Sequence, residues 1–391
     1  MDRQALSAAG HPQLTALTGI RFFAIFHIFL FHLWSIYDED KPERLENVMS
    51  DFGRLPDVAV NFLSQGWLST SFFFLLSGFI LSYLYWGPDG HLSIPKKRFW
   101  LMRFSRLYPI HAILLLLTIP MMTLMHLSQE TGVGQIVLSA LATLTLTQAW
   151  YPPWVPMWSW PTWALSALVF LYLVMPWLMR VMRRLGRRQM ILLLALMPVV
   201  SLVPTIVYAF FFPSGTEGPL EWQIFIGSTP LFWVPHFAAG MLLSRIFAVS
   251  RINPEFKQEN ASWLSWGDLA FVAVIVIACL PNIGEPLKFF LRHGLVMPLY
   301  MLLVLDLAQG KGLMARLFAL PGMAFLGETG FSIFIWQNMV ITGCFIAVMI
   351  NPQLGHGQLL WASLAMVILA IFSTYCLEKP LARKLRKRWL R

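Results

Sequence analysis

Charge is scarce in this 391-residue chain. Only 12% of its residues are charged and 57% are hydrophobic, against about 25% charged in soluble domains. Cysteine is scarcer still. Cys279, Cys344 and Cys376 stand in apolar segments without CxxC or Cys/His spacing, so neither a disulfide framework nor a metal site can be read from them. The apolar runs are continuous and lack period-two alternation, which excludes a β-barrel. P-loop, GxSxG and dinucleotide fingerprints are missing, as are internal repeats. The first apolar run is too long for a signal-peptide core and has no small-residue cleavage site, so it is expected to stay as the first span.

Eleven apolar segments fill the chain, near 14–37, 58–86, 106–127, 134–150, 162–183, 189–212, 223–248, 264–282, 287–309, 320–349 and 358–378. Runs of this length mark an all-α, polytopic transmembrane helical bundle. The segment 134–150 is the most polar, with Gln135, Ser139, Thr143, Thr145, Thr147 and Gln148 inside it. Read as re-entrant or interfacial, it leaves about ten spans and puts the basic residues in order. Lys96–Arg98, Arg103, Arg106, the Arg180–Arg188 cluster, Arg245, Arg251, Lys257, Lys311, Arg316 and the stretch from Lys379 to Arg391 then share one side. By the positive-inside bias that side is the cytoplasm, which also receives both termini. The acidic loop Asp38–Asp57 and the Trp-rich stretch between Gly132 and Trp163 fall outside. The net charge of +10 therefore reads as a topology and lipid signal, not a nucleic-acid footprint. No loop is long enough for a separate soluble domain, so residues 1–391 are expected to form one membrane domain.

Arg21 and His32 stand inside the first greasy helix. A guanidinium in hydrocarbon costs at least a few kcal/mol, so such residues usually face a protein interior. Eleven residues are close to three helical turns, which puts both side chains on one stripe, ~16 Å apart along the axis. A fixed cation aligned with a titratable imidazole reads as a reaction channel. His27 falls about 240° around the helix from Arg21 and is read as a packing or hydrogen-bonding histidine.

Further blocks follow in series: Gly66-Trp-Leu-Ser-Thr-Ser-Phe72-Phe-Phe-Leu-Leu-Ser77-Gly78-Phe79, then Arg103-Phe-Ser-Arg106-Leu-Tyr108-Pro109, then Gly327-Glu-Thr-Gly-Phe331-Ser332-Ile-Phe334-Ile-Trp336-Gln337, then Glu378-Lys379-Pro380. Together with the Arg21–His32 helix, and in this order, the chain resembles acyltransferase family three over nearly its whole length. The resemblance implies an integral membrane enzyme that moves acyl groups from coenzyme A thioesters onto carbohydrates and other acceptors. Two departures stand out. The family commonly has Trp-Ser-Leu-Ser-x-Glu, whereas here Trp163-Ala-Leu165-Ser166-Ala-Leu168 puts Leu168 at the carboxylate position. Where many members have a histidine after the Tyr-Leu-Trp run, this chain has Gln337, an amide that hydrogen-bonds but does not act as acid or base at neutral pH.

Acyl transfer to a hydroxyl needs a base, a cation or donor at the developing oxyanion, and cationic contacts for the donor's phosphates. His32 is the candidate base or, in an acyl-enzyme variant, nucleophile. Arg21 is the candidate fixed cation, to orient the donor or stabilise the oxyanion. Arg103 and Arg106, three apart on one helix face, are candidate phosphate contacts, with Ser77 and Tyr108 beside them in the donor-binding set. Trp163, Ser166, Glu328 and Gln337 are assigned to acceptor binding, Glu328 also as the substitute for the missing carboxylate. Trp150, Trp154, Trp158, Trp160 and Trp163 supply aromatic faces for sugar rings or an interfacial belt. Arg292, His293, His236 and Asp306 are expected to pack against other helices, and the basic C-terminus to meet anionic lipid heads.

The expected function is a bacterial inner-membrane O-acyltransferase. It would use acetyl-CoA or another acyl-CoA, without a metal, to modify a surface or exported glycan or a lipid-linked sugar. A transporter or flippase of lipid-linked glycan is the rival, since it also needs intramembrane charges, but paired repeats with interrupted helices are not apparent. Cysteines introduced singly test the topology. One at Gly186 is expected to react only with a cytoplasmic thiol reagent, and ones at Gly355 and Tyr151 only with an external one. Cytoplasm-only labelling at Tyr151 would mean that 134–150 crosses the membrane.

Overall fold

The computed structural model describes residues 14–38, 55–87, 89–213, 218–252, 264–281 and 283–389. The acidic loop between residues 38 and 57 lies largely outside them, as do Lys257 and the Arg251 side chain. Among the described residues the fold is all-α, with one isolated bridge between Trp86 and Leu92. Among these residues nine helices are long and apolar enough to cross a membrane. They are α1 (Thr15–Asp38), α2 (Leu68–Tyr85), α3 (Lys96–Ser128), α4 (Trp163–Met182), α5 (Arg187–Phe211), α6 (Val234–Ile252), α7 (Leu287–Gln309), α8 (Gly330–Ile350) and α9 (Gln358–Trp389).

The two remaining apolar segments are shorter. Helix Val133–Leu144 has 12 residues and rises about 18 Å, too little for a hydrocarbon core of ~30 Å. Leu146 at positive φ ends it, and short turns then carry the chain through the tryptophan-rich stretch to α4. The segment 264–282 also holds a short helix, Trp266–Ala278 of 13 residues. A capping box between Ser265 and Asp268 fixes its start, and Pro281 stands just past its end. By contrast, α3 has 33 residues and rises about 50 Å, so its first turns, which carry Arg98, Arg103 and Arg106, reach beyond the hydrocarbon.

Helix α1 is the seam of the bundle. Leu17, Ile20 and Ala24 join a core built from α2, α4, α6 and α7. Ile25, Phe29 and Leu33 join a second core with α3, α8 and α9. The tightest helix pair is α2 against α6. A Cβ on Gly78 would strike the carbonyl oxygen of Phe237, and one on Gly240 that of Leu75. Such reciprocal small-residue contacts let backbones approach where lipid offers no hydrophobic drive for association.

Gly78→Ala and Gly240→Ala are each expected to destabilise the bundle by about 1–3 kcal/mol through overpacking. Thermal unfolding of the detergent-solubilised protein would show this as a lowered midpoint. An unchanged midpoint in both would mean that this helix pair relaxes freely.

Candidate functional site

A cavity of about 2330 Å³ runs between the two cores. Its wall takes Arg21, Ile25, Ile28 and His32 from α1, Phe74 and Ser77 from α2, Arg98, Arg103 and Arg106 from α3, and Leu168 and Tyr172 from α4. Arg292 from α7, Phe334 from α8, and Arg383 and Arg386 from α9 complete it. The side chains on the α1 stripe thus face a protein interior, as the cost of a guanidinium in lipid requires.

The cavity has two poles. At one, Arg21 lies within electrostatic reach of Arg103, Arg106 and Tyr172. Arg103 donates through Nη2 to Tyr85 Oη at 2.6 Å, and its guanidinium lies 5.1 Å from the centre of that ring. Arg106 Nε donates to Glu378 Oε1 at 3.1 Å. The second oxygen of that buried carboxylate accepts from Ser332 Oγ at 3.2 Å. The final stretch of α9, Lys379–Trp389, packs along α3, and Arg386 Nε reaches Ser105 Oγ at 3.2 Å. Part of the basic tail therefore closes this pole, so its role is not confined to lipid contact.

At the other pole stands His32. Its Nδ1 lies 3.0 Å from Gln337 Oε1, while Gln337 Nε2 donates to the carbonyl of Phe334 at 3.0 Å. The second bond fixes the amide orientation, since only its nitrogen can donate to a carbonyl. The oxygen therefore faces the imidazole, and Nδ1 must carry the proton. That leaves Nε2 with a free lone pair, the state a general base needs. His27 differs: Nε2 donates to Phe62 O at 2.6 Å, Nδ1 accepts from Ser69 Oγ at 3.0 Å, and the ring stacks on Phe62 at 4.2 Å. Both its nitrogens are occupied.

The other sequence-selected residues divide. Ser77 and Trp163 line the cavity. Gln337 touches the site only through His32. Tyr108 packs into the second core and does not line the cavity. Ser166 is buried with an unpartnered hydroxyl and likewise stays off the wall. Glu328 belongs to the Arg21 pole, where Lys379 Nζ lies 2.6 Å away and Tyr375 Oη donates to it at 3.3 Å. Its partners are thus at that pole, and among the described residues the side chain bonded to the His32 ring is the Gln337 amide and not a carboxylate. Of the tryptophans, Trp160 and Trp163 border the cavity, whereas Trp158 is buried and donates to Ser139 Oγ at 3.0 Å. Asp306 accepts from the Gly267 amide at 2.6 Å and is a helix-joining group. Tyr85 and Tyr172 went unselected because a tyrosine in an aromatic-rich run carries no distinguishing signal.

The profile of one family, described as an acyltransferase domain, matches residues 14–378. Acyltransferase MdmB of Streptomyces mycarofaciens is 28% identical over 181 residues, 46% of this chain and 42% of that protein. The chain therefore spans less than half the length of this curated relative. No solved structure matches.

The Arg106–Glu378 pair yields a stability test. Glu378→Ala removes the carboxylate partner of Arg106 and one acceptor of Ser332, whose hydroxyl keeps Ser373 and Thr374 as partners. Allowing for the Arg106 side chain being 39% exposed, it is expected to cost about 2–3 kcal/mol. Denaturation of the variant in detergent would measure it, and a cost near zero would show that the pair contributes no net stability.

Proposed function

This chain belongs to the acyltransferase-domain family, and from that premise we propose that it is a membrane-bound O-acyltransferase. It takes an acyl group, acetyl in the first instance, from cytoplasmic acyl-CoA and places it on a hydroxyl of a cell-surface or exported glycan or of its lipid-linked precursor. The observation that carries this reading is the single cavity joining an arginine-rich pole to His32.

At the arginine-rich pole, Arg103, Arg106, Arg383 and Arg386 offer charge-assisted donors for the phosphates of coenzyme A. Arg21 makes no hydrogen bond to the described residues and adds a fixed cation deeper in the cavity. Between the poles, Ile25, Ile28, Phe74 and Phe334 give an apolar passage for the extended arm of the donor. His32 receives the acceptor's proton on Nε2 as the hydroxyl oxygen bonds to the thioester carbon. The carbon–sulfur bond then breaks, and the imidazolium returns the proton to the leaving thiolate. Trp160 and Trp163 supply aromatic faces beside the acceptor. The cytoplasmic donor fits a bacterial inner membrane in which the basic pole is the positive-inside side.

His32→Ala is expected to reduce transfer by about 10²- to 10⁴-fold, the usual contribution of a positioned base. Gln337→Leu, which frees the tautomer, should cost about tenfold or more, whereas His27→Ala should retain most activity. Mass spectrometry of cell-envelope glycans from cells carrying each variant would show these differences as loss or retention of an acyl mass shift. A full shift with His32→Ala and none with His27→Ala would reverse the choice of histidine.

A further inference from the structure

A base at His32 is half of what acyl transfer needs, because the thioester oxygen becomes anionic in the same step. Donors that stabilise an oxyanion act at about 2.7–3.1 Å from it, so they must stand close to the base. Arg21 does not. It is ~16 Å from His32 along α1, more than twice what an extended arginine can cover, and its electrostatic neighbours are Arg103 and Arg106. We propose that Arg292 is the oxyanion-stabilising residue, an assignment that rests on the acyl-transfer reading.

Arg292 lines the cavity and lies within electrostatic reach of His32. Its guanidinium lies beside a pair of packed indoles, 5.5 Å from the ring centre of Trp163 and 5.2 Å from that of Trp233, whose centres are themselves 5.6 Å apart. Nη2 donates to the carbonyl of Gly227 at 3.1 Å, and a Cβ at Gly227 would press on Nη1. Nε is buried without a partner. Among the described residues no carboxylate pairs with it, unlike Arg106. A buried cation with no counter-charge is costly, and its cost falls when an anion forms beside it. Held by the rings and the Gly227 carbonyl, the guanidinium is already oriented before charge develops, which is what makes such stabilisation effective. The glycine leaves room for it, and the aromatic faces balance part of its charge without neutralising it.

Two coenzyme A derivatives with identical phosphates test the assignment without needing an acceptor. In S-sulfo-CoA a tetrahedral anionic group sits directly on the sulfur, where the reacting carbon would be; S-ethyl-CoA is neutral there. Isothermal titration of the full chain in nanodiscs is expected to show the anionic derivative binding at least tenfold tighter. Arg292→Gln should reduce that ratio below twofold while S-ethyl-CoA still binds, and Arg21→Gln and Lys288→Gln should keep it. Equal binding of the two by the unaltered protein overturns the assignment. So does a ratio that survives in Arg292→Gln, or one that disappears in either control variant instead. If Arg292→Gln loses S-ethyl-CoA binding as well, Arg292→Lys decides. Retention of the preference supports the role and its loss refutes it. Failure of the unaltered protein to bind either derivative is a different result, because it sinks the acyl-CoA reading itself and this assignment with it.

Discussion

Everything polar in this bundle is arranged by the cost of leaving a guanidinium in hydrocarbon. Arg21 sits in the second turn of α1, so that helix cannot turn its polar stripe to lipid. It must border a cavity, and the two apolar cores form on either side of it. Three turns along the same stripe, His32 is carried to the same cavity by the helical repeat. The tight glycine contacts between α2 and α6 hold one wall of the cavity in place.

The charges within the cavity are balanced unevenly. At the pole formed by α3 and α9, Glu378 and Glu328 each pair with a cation, so that pole is assembled and partly neutralised in the resting protein. At the His32 pole, the ring faces of Trp163 and Trp233 and one backbone carbonyl are what Arg292 meets. Paired cations favour stable binding of an anionic substrate group, because the ground state is already solvated by protein. A cation held only by π-faces favours charge that appears during the reaction. On the proposed function, the distribution of carboxylates separates a binding pole from a chemical pole.

Much of this architecture was legible in the sequence, because hydrophobic runs and a three-turn spacing are local properties. The threonines and glutamines of 134–150 marked it as a re-entrant or interfacial segment, and its 12-residue helix is shorter than a span needs. The short helix in 264–282 was not legible, since its composition is as apolar as a span and only the cap at Ser265 and Pro281 shorten it. The pairings across the cavity were also out of reach. Gln337 meets His32 across 305 positions of sequence, and Glu378 meets Arg106 across 272; no periodicity links residues so distant. Glu328 was assigned by elimination, and elimination cannot see that Lys379 already holds it.

The two departures from the family pattern bear on each other. Leu168 lines the cavity, so the missing carboxylate is replaced there by an apolar wall and not by a relocated acid. A charged partner would both orient an imidazole and stabilise its protonated form. Gln337 does only the first. Its amide, anchored on Phe334 O, fixes which nitrogen of His32 is free but adds no negative charge. Any imidazolium formed at His32 therefore stands beside Arg292 without an acid between them. On the proposed acyl transfer, that arrangement favours rapid return of the proton to the leaving thiolate, so proton transfer and bond cleavage are expected to be closely coupled in this site.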